Sequence, residues 1–153
     1  MMTGDVDLLL VDDSQSDMKL ALHAISQQSP NHKVAVVRDG EEALDFLFAR
    51  GRYSDRAGSA LPKVILLDLK LPKVNGFEVL KAIKADERTR SVPVVMLTSS
   101  KQESDIVESY RLGAHSYVQK PVDFDSFRAV VQRVEQYWLG TNIAPPSGDR
   151  QVR

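Results

Sequence analysis

Two rhythms of apolar residues alternate along this chain. Short continuous runs each stop at something polar: Asp7-Leu8-Leu9-Leu10-Val11, Lys33-Val34-Ala35-Val36-Val37, Lys63-Val64-Ile65-Leu66-Leu67, Val92-Pro93-Val94-Val95-Met96-Leu97 and the shorter Ser116-Tyr117-Val118-Gln119. They predict five buried strands. Between them the apolar residues fall at helical spacing: Met18, Ala21, Leu22 and Ile25; Leu44, Leu47 and Phe48; Val79, Leu80 and Ile83; Ile106, Val107 and Tyr110; Phe124, Phe127, Val131, Val134 and Trp138. These predict five amphipathic helices. Start and stop signals agree with that division. Asp123 is placed to cap the last helix, Glu41, Glu42 and Glu103 bring negative charge to first turns, and Gly51 and Gly113 follow helices as stops.

Parallel strands need long crossovers, and such crossovers are right-handed, so five strand–helix pairs imply an open parallel sheet with helices on both faces. The predicted class is doubly wound α/β, and if it takes the flavodoxin-like strand order 2-1-3-4-5, strand three is flanked by one and four. The Gly-, Ser- and charge-rich stretch from Arg50 to Pro62 falls outside the alternation and reads as a long surface loop. Residues 1–139 are expected to form the domain, with 140–153, which contain Pro145-Pro146-Ser147-Gly148, as a flexible tail.

Composition narrows the function. The chain has 153 residues, room for one domain of ordinary size. With 42% hydrophobic and 27% charged residues it is composed like a globular protein rather than a disordered one. Lys plus Arg is 20 and Asp plus Glu is 21, so no cationic field favours nucleic acid or an anionic membrane. The basic Lys81, Lys84, Arg88 and Arg90 are interrupted by Asp86 and Glu87 and read as a solvated helix end. The absence of cysteine removes disulfides, thiolate metal sites and cysteine nucleophiles. His23 and His32 read as surface residues, and His115 has no metal partner at a ligand spacing. No apolar run approaches the ~18 residues of a membrane span and no signal peptide opens the chain, so a cytoplasmic location is expected.

In open α/β sheets, ligands sit beyond the carboxyl ends of the strands, where strand order reverses. The residues there are Asp12 and Asp13, Asp68, Thr98 and Ser99, and Lys120. Two carboxylates about 4 Å apart repel by roughly 4 kcal/mol at an effective dielectric near 20, so three together would shift their pKa values or need a cation, for which a hard divalent ion is the natural choice. An all-oxygen donor set favours Mg²⁺ or Mn²⁺. A carboxylate beside such an ion, with a hydroxyl and an ammonium facing it, is equipped to attack phosphorus and hold an acyl phosphate. Any one of these residues alone is a commonplace cap, turn or surface residue; the set in register is not.

The set resembles the receiver domains of two-component response regulators. The resemblance runs from about Leu8 to Trp138 and rests jointly on Val11-Asp12-Asp13, Leu67-Asp68-Leu69-Lys70-Leu71-Pro72, Asn75-Gly76, Leu97-Thr98-Ser99 and Lys120-Pro121. It implies that Asp68 is the phosphoacceptor and that Asp13 and Asp68 hold Mg²⁺. Asp12 would help through water, and the backbone carbonyl of Lys70 would complete the protein ligands. It further implies that Thr98 swings toward the phosphoryl group, Tyr117 turns inward behind it and Lys120 pairs with a phosphoryl oxygen. That would switch the face made by the fourth helix, fifth strand and fifth helix.

The Gly51-Arg52-Tyr53-Ser54-Asp55 segment, Lys120-Pro121-Val122-Asp123 and the Tyr137-Trp138-Leu139 end look like those of stand-alone receivers that serve phytochrome-type histidine kinases. Asp12 stands there in place of a common Glu and Lys70 in place of a frequent Asn, positions expected to tune dephosphorylation. The aromatics of the last helix and its end point to a homodimer through the same switching face and residues Tyr137 to Leu139. The expected partner is a histidine kinase, with output by a protein contact, a dimer change or onward passage of the phosphoryl group, since no output domain fits after Trp138. A Mg²⁺-dependent phosphohydrolase with an Asp nucleophile is a competing reading, but the chain lacks DxD spacing and a cap domain. A phosphate-independent interaction module is another, against which the full acidic set argues. Flavin binding fails on the first loop, Asp13 to Asp17, which is acidic and has no glycine.

Overall fold

The computed structural model describes residues 5–144. Five strands, β1 (Leu8–Val11), β2 (Val34–Val37), β3 (Val64–Leu67), β4 (Val94–Thr98) and β5 (Ser116–Gln119), pair in parallel in the order β2-β1-β3-β4-β5. Helices α1 (Gln15–Gln28), α2 (Gly40–Phe48), α3 (Gly76–Ala85), α4 (Glu103–Arg111) and α5 (Phe124–Gln136) alternate with them. This is the predicted flavodoxin-like arrangement. β1, β3 and β4 are buried along their whole length, while β2 and β5 form the edges.

The strand pleat divides the core in two. Leu9, Val11, Ile65, Leu67, Val94 and Met96 meet Ala43, Phe46 and Leu47 of α2 and Val79, Leu80 and Ile83 of α3. Leu8, Leu10, Val64, Leu66, Val95 and Leu97 meet Met18, Ala21, Ala24 and Ile25 of α1 and Phe127 and Val131 of α5. Hydrophobic burial on both faces fixes the sheet, so every strand ends its carboxyl end at one rim.

Four of the five α-helix starts are set by side-chain caps, α4 being the exception. Ser14, Asp39, Asn75 and Asp123 accept from the backbone N–H groups of Asp17, Glu42, Glu78 and Ser126. Gly113, at φ +105°, follows α4 as expected. Gly51 does not stop α2: the helix ends at Phe48 with Ala49 in the left-handed region, and Gly51 opens the next segment.

That next segment corrects the reading of residues 50–62 as a plain surface loop. Gly51–Arg56 is wound as a 3₁₀ helix, with Tyr53 and Arg56 buried. The Tyr53 ring meets Phe46 edge-on at 5.1 Å, its hydroxyl donates to Glu42 at 2.5 Å, and the Arg56 guanidinium lies 3.7 Å from the Phe46 ring centre. His32 is not a simple surface residue either: it is half-buried and bonds the fully buried carboxylate of Glu135, which also accepts from Gln28. His23 is exposed as expected. In α4 the apolar stripe does not reach the core, for Val107 and Tyr110 are exposed and Ser109 is the buried residue. After α5 the chain makes a π-helical turn, Tyr137–Thr141, in which Trp138 packs on the second core half and edge-on against His115. The tail residues from Pro145 onward lie outside the described residues.

Candidate functional site

Strand register brings the predicted polar residues to one place. Val11 pairs with Leu67, so Asp12 and Asp68 leave the sheet side by side, and Asp68 N–H bonds the Val11 carbonyl at 3.0 Å. Thr98 pairs with Gln119, so Lys120 follows directly, its N–H bonding the Thr98 carbonyl at 2.7 Å. The loop after Asp68 is held from below. Gly76 N–H bonds the Leu69 carbonyl at 2.8 Å, and a Cβ on Gly76 would stand 2.3 Å from the Asp68 carbonyl oxygen. Only glycine lets the start of α3 approach this closely.

Asp12 is 2% and Asp68 8% exposed, whereas Asp13 lies open to solvent. One carboxylate oxygen from each of Asp12, Asp13 and Asp68 falls within 4.8 Å of the others. Burial raises the Asp12 carboxyl above its ordinary 3.8; the bond from Lys120 and the Ser14 N–H, at 2.9 Å, offset part of that cost. An oxygen-only set of this kind, with two of its three carboxylates buried and the third open to solvent, fits a hard divalent cation. Lys70 lies two residues beyond Asp68 on the exposed rim.

Lys120 pairs with two members of that cluster and with a third carboxylate outside it. Its ammonium lies 2.7 Å from Asp12, 2.9 Å from Asp17 and 3.2 Å from Asp68. Burial alone would lower its pKa, but the bond to Asp12, the charges of Asp68 and Asp12 and the bond to Asp17 outweigh burial and leave it above the ordinary 10.5. Asp17 is the residue that sequence reasoning missed. It sits in the first turn of α1, directly behind the acidic pair, so its side chain turns back over the strand end. The capping serine at position 14 was the available signal.

Thr98 is fully buried, and its hydroxyl accepts from Ser100 N–H at 3.3 Å. The Tyr117 hydroxyl donates to the Ser100 carbonyl at 2.9 Å, and Ser100 in turn donates to Asp105 of α4 at 2.5 Å. A hydrogen-bonded path therefore links β5, the loop after β4 and α4.

Comparison with known proteins supports the same assignment. Residues 8–132 match the model of the response regulator receiver domain. The response regulator Rcp1 of Synechocystis sp. is 38% identical over 138 residues, covering 90% of this chain and 92% of Rcp1. A solved Mn²⁺-bound form of Rcp1 superposes with a TM-score of 0.84 over 92% of this chain and 99% of that one. The phosphorylated cyanobacterial phytochrome response regulator RcpA gives 0.85 at 37% identity, covering 93% of this chain and 99% of that one. The bacteriophytochrome response regulator RtBRR is 46% identical, with a TM-score of 0.72 over 96% of this chain and 87% of its own.

Proposed function

The chain belongs to the response regulator receiver family, a phosphoacceptor signalling protein whose partner is a histidine kinase, and from that premise we propose that it accepts a phosphoryl group on Asp68 in a phytochrome-linked phosphorelay. The observation that carries this reading is the buried Asp68 carboxylate between two further carboxylates and one ammonium. In the transfer, an Asp68 oxygen attacks phosphorus, the bond from phosphorus to the donor's imidazole nitrogen breaks, and that nitrogen keeps the electron pair. Asp12, Asp13, Asp68 and the carbonyl of Lys70 would hold Mg²⁺, which when bound neutralises charge on the transferring group. Lys120 stands close enough to bind a phosphoryl oxygen, and the Thr98 hydroxyl supplies a second donor.

The switch is read outward through Tyr117. Its hydroxyl already bonds the Ser100 carbonyl, so a shift of Thr98 toward the phosphoryl group moves the same loop and α4 with it. Val107 and Tyr110 on α4, with Val122 and Phe124 before and at the start of α5, leave apolar surface exposed on that face. This supports a homodimer there, extended by Tyr137 to Leu139, with phosphorylation changing its strength. Cytoplasmic histidine kinase domains are the expected phosphodonors.

Intact mass after incubation with acetyl phosphate tests the reading, with sedimentation followed alongside. One phosphoryl adduct that requires Mg²⁺, and a dimer population that moves with it, are expected. No adduct from either acetyl phosphate or a phosphorylated kinase would reject phosphoacceptance by this chain.

A further inference from the structure

Lys120 has three N–H donors and three carboxylate partners, and the three partners are not equivalent. Asp12 and Asp68 belong to the group of carboxylates close enough to share a cation; Asp17 does not. A cation entering that group competes with the ammonium for two of its three partners. The ammonium is nearly enclosed, since the Lys120 side chain is 9% exposed, so it cannot leave for water without disrupting its surroundings. Asp17, one-third exposed at the rim, is the carboxylate that remains to it.

From this geometry we infer that Asp17 is a positioning residue that draws the Lys120 ammonium off Asp12 and Asp68, so that a divalent cation can enter while the lysine stays in the site. The inference rests on the receiver reading for the purpose of the cation, but it concerns a residue outside the acidic pair, the phosphoacceptor and the lysine themselves. Local structure supports it. Asp17 is held by the first turn of α1, where its own N–H bonds the Ser14 hydroxyl at 3.2 Å, so its carboxylate is anchored on a helix rather than on a loop. Replacing it with Asn keeps that bond and the side-chain shape while removing the charge that competes for the ammonium.

The test is a double-mutant cycle read by Mg²⁺ calorimetry on the full chain, with no phosphodonor present: wild type, Asp17→Asn, Lys120→Met and the pair. With Lys120 in place, Asp17→Asn is expected to weaken Mg²⁺ binding about tenfold, because the lysine then holds Asp12 and Asp68 unopposed. With Lys120→Met the same change should cost at most about threefold, the effect of a lost charge nearby. Asp17→Glu should restore most of the affinity, which a general folding defect would not allow. Equal losses in both backgrounds, or an Asp17→Glu variant as weak as Asp17→Asn, would overturn the inference and leave the receiver reading intact. A wild-type chain that binds no Mg²⁺ would overturn both.

Discussion

The ammonium of Lys120 stands 3.2 Å from the carboxylate of Asp68, although 52 residues separate them in the chain. Each is the first residue or so past a parallel strand, and the register of β3, β4 and β5 alone brings them together. The pair holds the site in its resting arrangement, with the lysine compensating buried acid that a cation also suits. That relationship governs how the protein should respond to change.

Lys120→Met leaves Asp12 and Asp68 buried without their cation. In a chelator at neutral pH this should cost about 3 kcal/mol of unfolding free energy. Mg²⁺ should then raise the melting temperature more in the variant than in wild type, because it binds the folded cluster without competition. Denaturant melts with and without Mg²⁺ check this; equal Mg²⁺ shifts in the two proteins would show that lysine and metal do not share partners.

Gly76→Ala places a methyl 2.3 Å from the Asp68 carbonyl oxygen, a backbone atom that cannot turn aside. The start of α3 must retreat, at a cost of about 2 kcal/mol, and the loop carrying Asp68 must move with it. Stability and the rate of adduct formation from acetyl phosphate should fall together. A variant as stable and as reactive as wild type would contradict the close contact.

Glu135 is fully buried, with Gln28 and His32 as its partners. Glu135→Ala should destabilise by about 2 kcal/mol by emptying a polar pocket and removing the partner of His32, while Gln28 keeps the Gln132 carbonyl at 2.9 Å. Glu135→Gln, which keeps the volume and an acceptor, should cost less. The cost should not reach the phosphoryl site, so adduct formation by either folded variant is expected to match wild type.

Lys84 donates to the carbonyls of Arg90 and Val92 at 2.9 and 3.0 Å, and burial pulls its pKa down to about 8 from an ordinary 10.5. Between about 8 and 10.5 the unfolded chain holds a proton there that the folded chain has lost. This group's contribution to stability therefore rises with pH across that window, and its full cost is present below about 8. NMR of ¹³C-methylated lysines should show Lys84 titrating near 8 while Lys120 remains protonated well beyond it. A Lys84 resonance titrating with the surface lysines would contradict its burial.

Much of this was legible in the sequence because interior parallel strands are apolar without interruption and stop abruptly. The polar residue after each stop, Asp12, Asp68, Thr98 or in the neighbouring case Lys120, is then already assigned to one rim. Asp17 was not legible in the same way, since its place depends on where the first turn of α1 begins rather than on a strand end. Tyr53 and Arg56 lie in a stretch whose glycine, serine and charge read as loop, and only packing on Phe46 of α2 winds it. Glu135 and His32 meet across 103 residues with no local signal. Val107 and Tyr110 have helical spacing, but periodicity records a shared face, not what covers it.

Phosphorylation of Asp68 is the central claim, and borohydride trapping tests it most directly. Borohydride reduces an aspartyl phosphate to homoserine while sparing free carboxylates, so peptide mass mapping after acetyl phosphate and Mg²⁺ reports the phosphorylated position itself. Homoserine at position 68, absent without Mg²⁺ and absent from Asp68→Asn, is the predicted result. Homoserine at position 12, 13 or 17 in the wild-type chain, or at none of them despite a phosphoryl adduct in the intact mass, would contradict it.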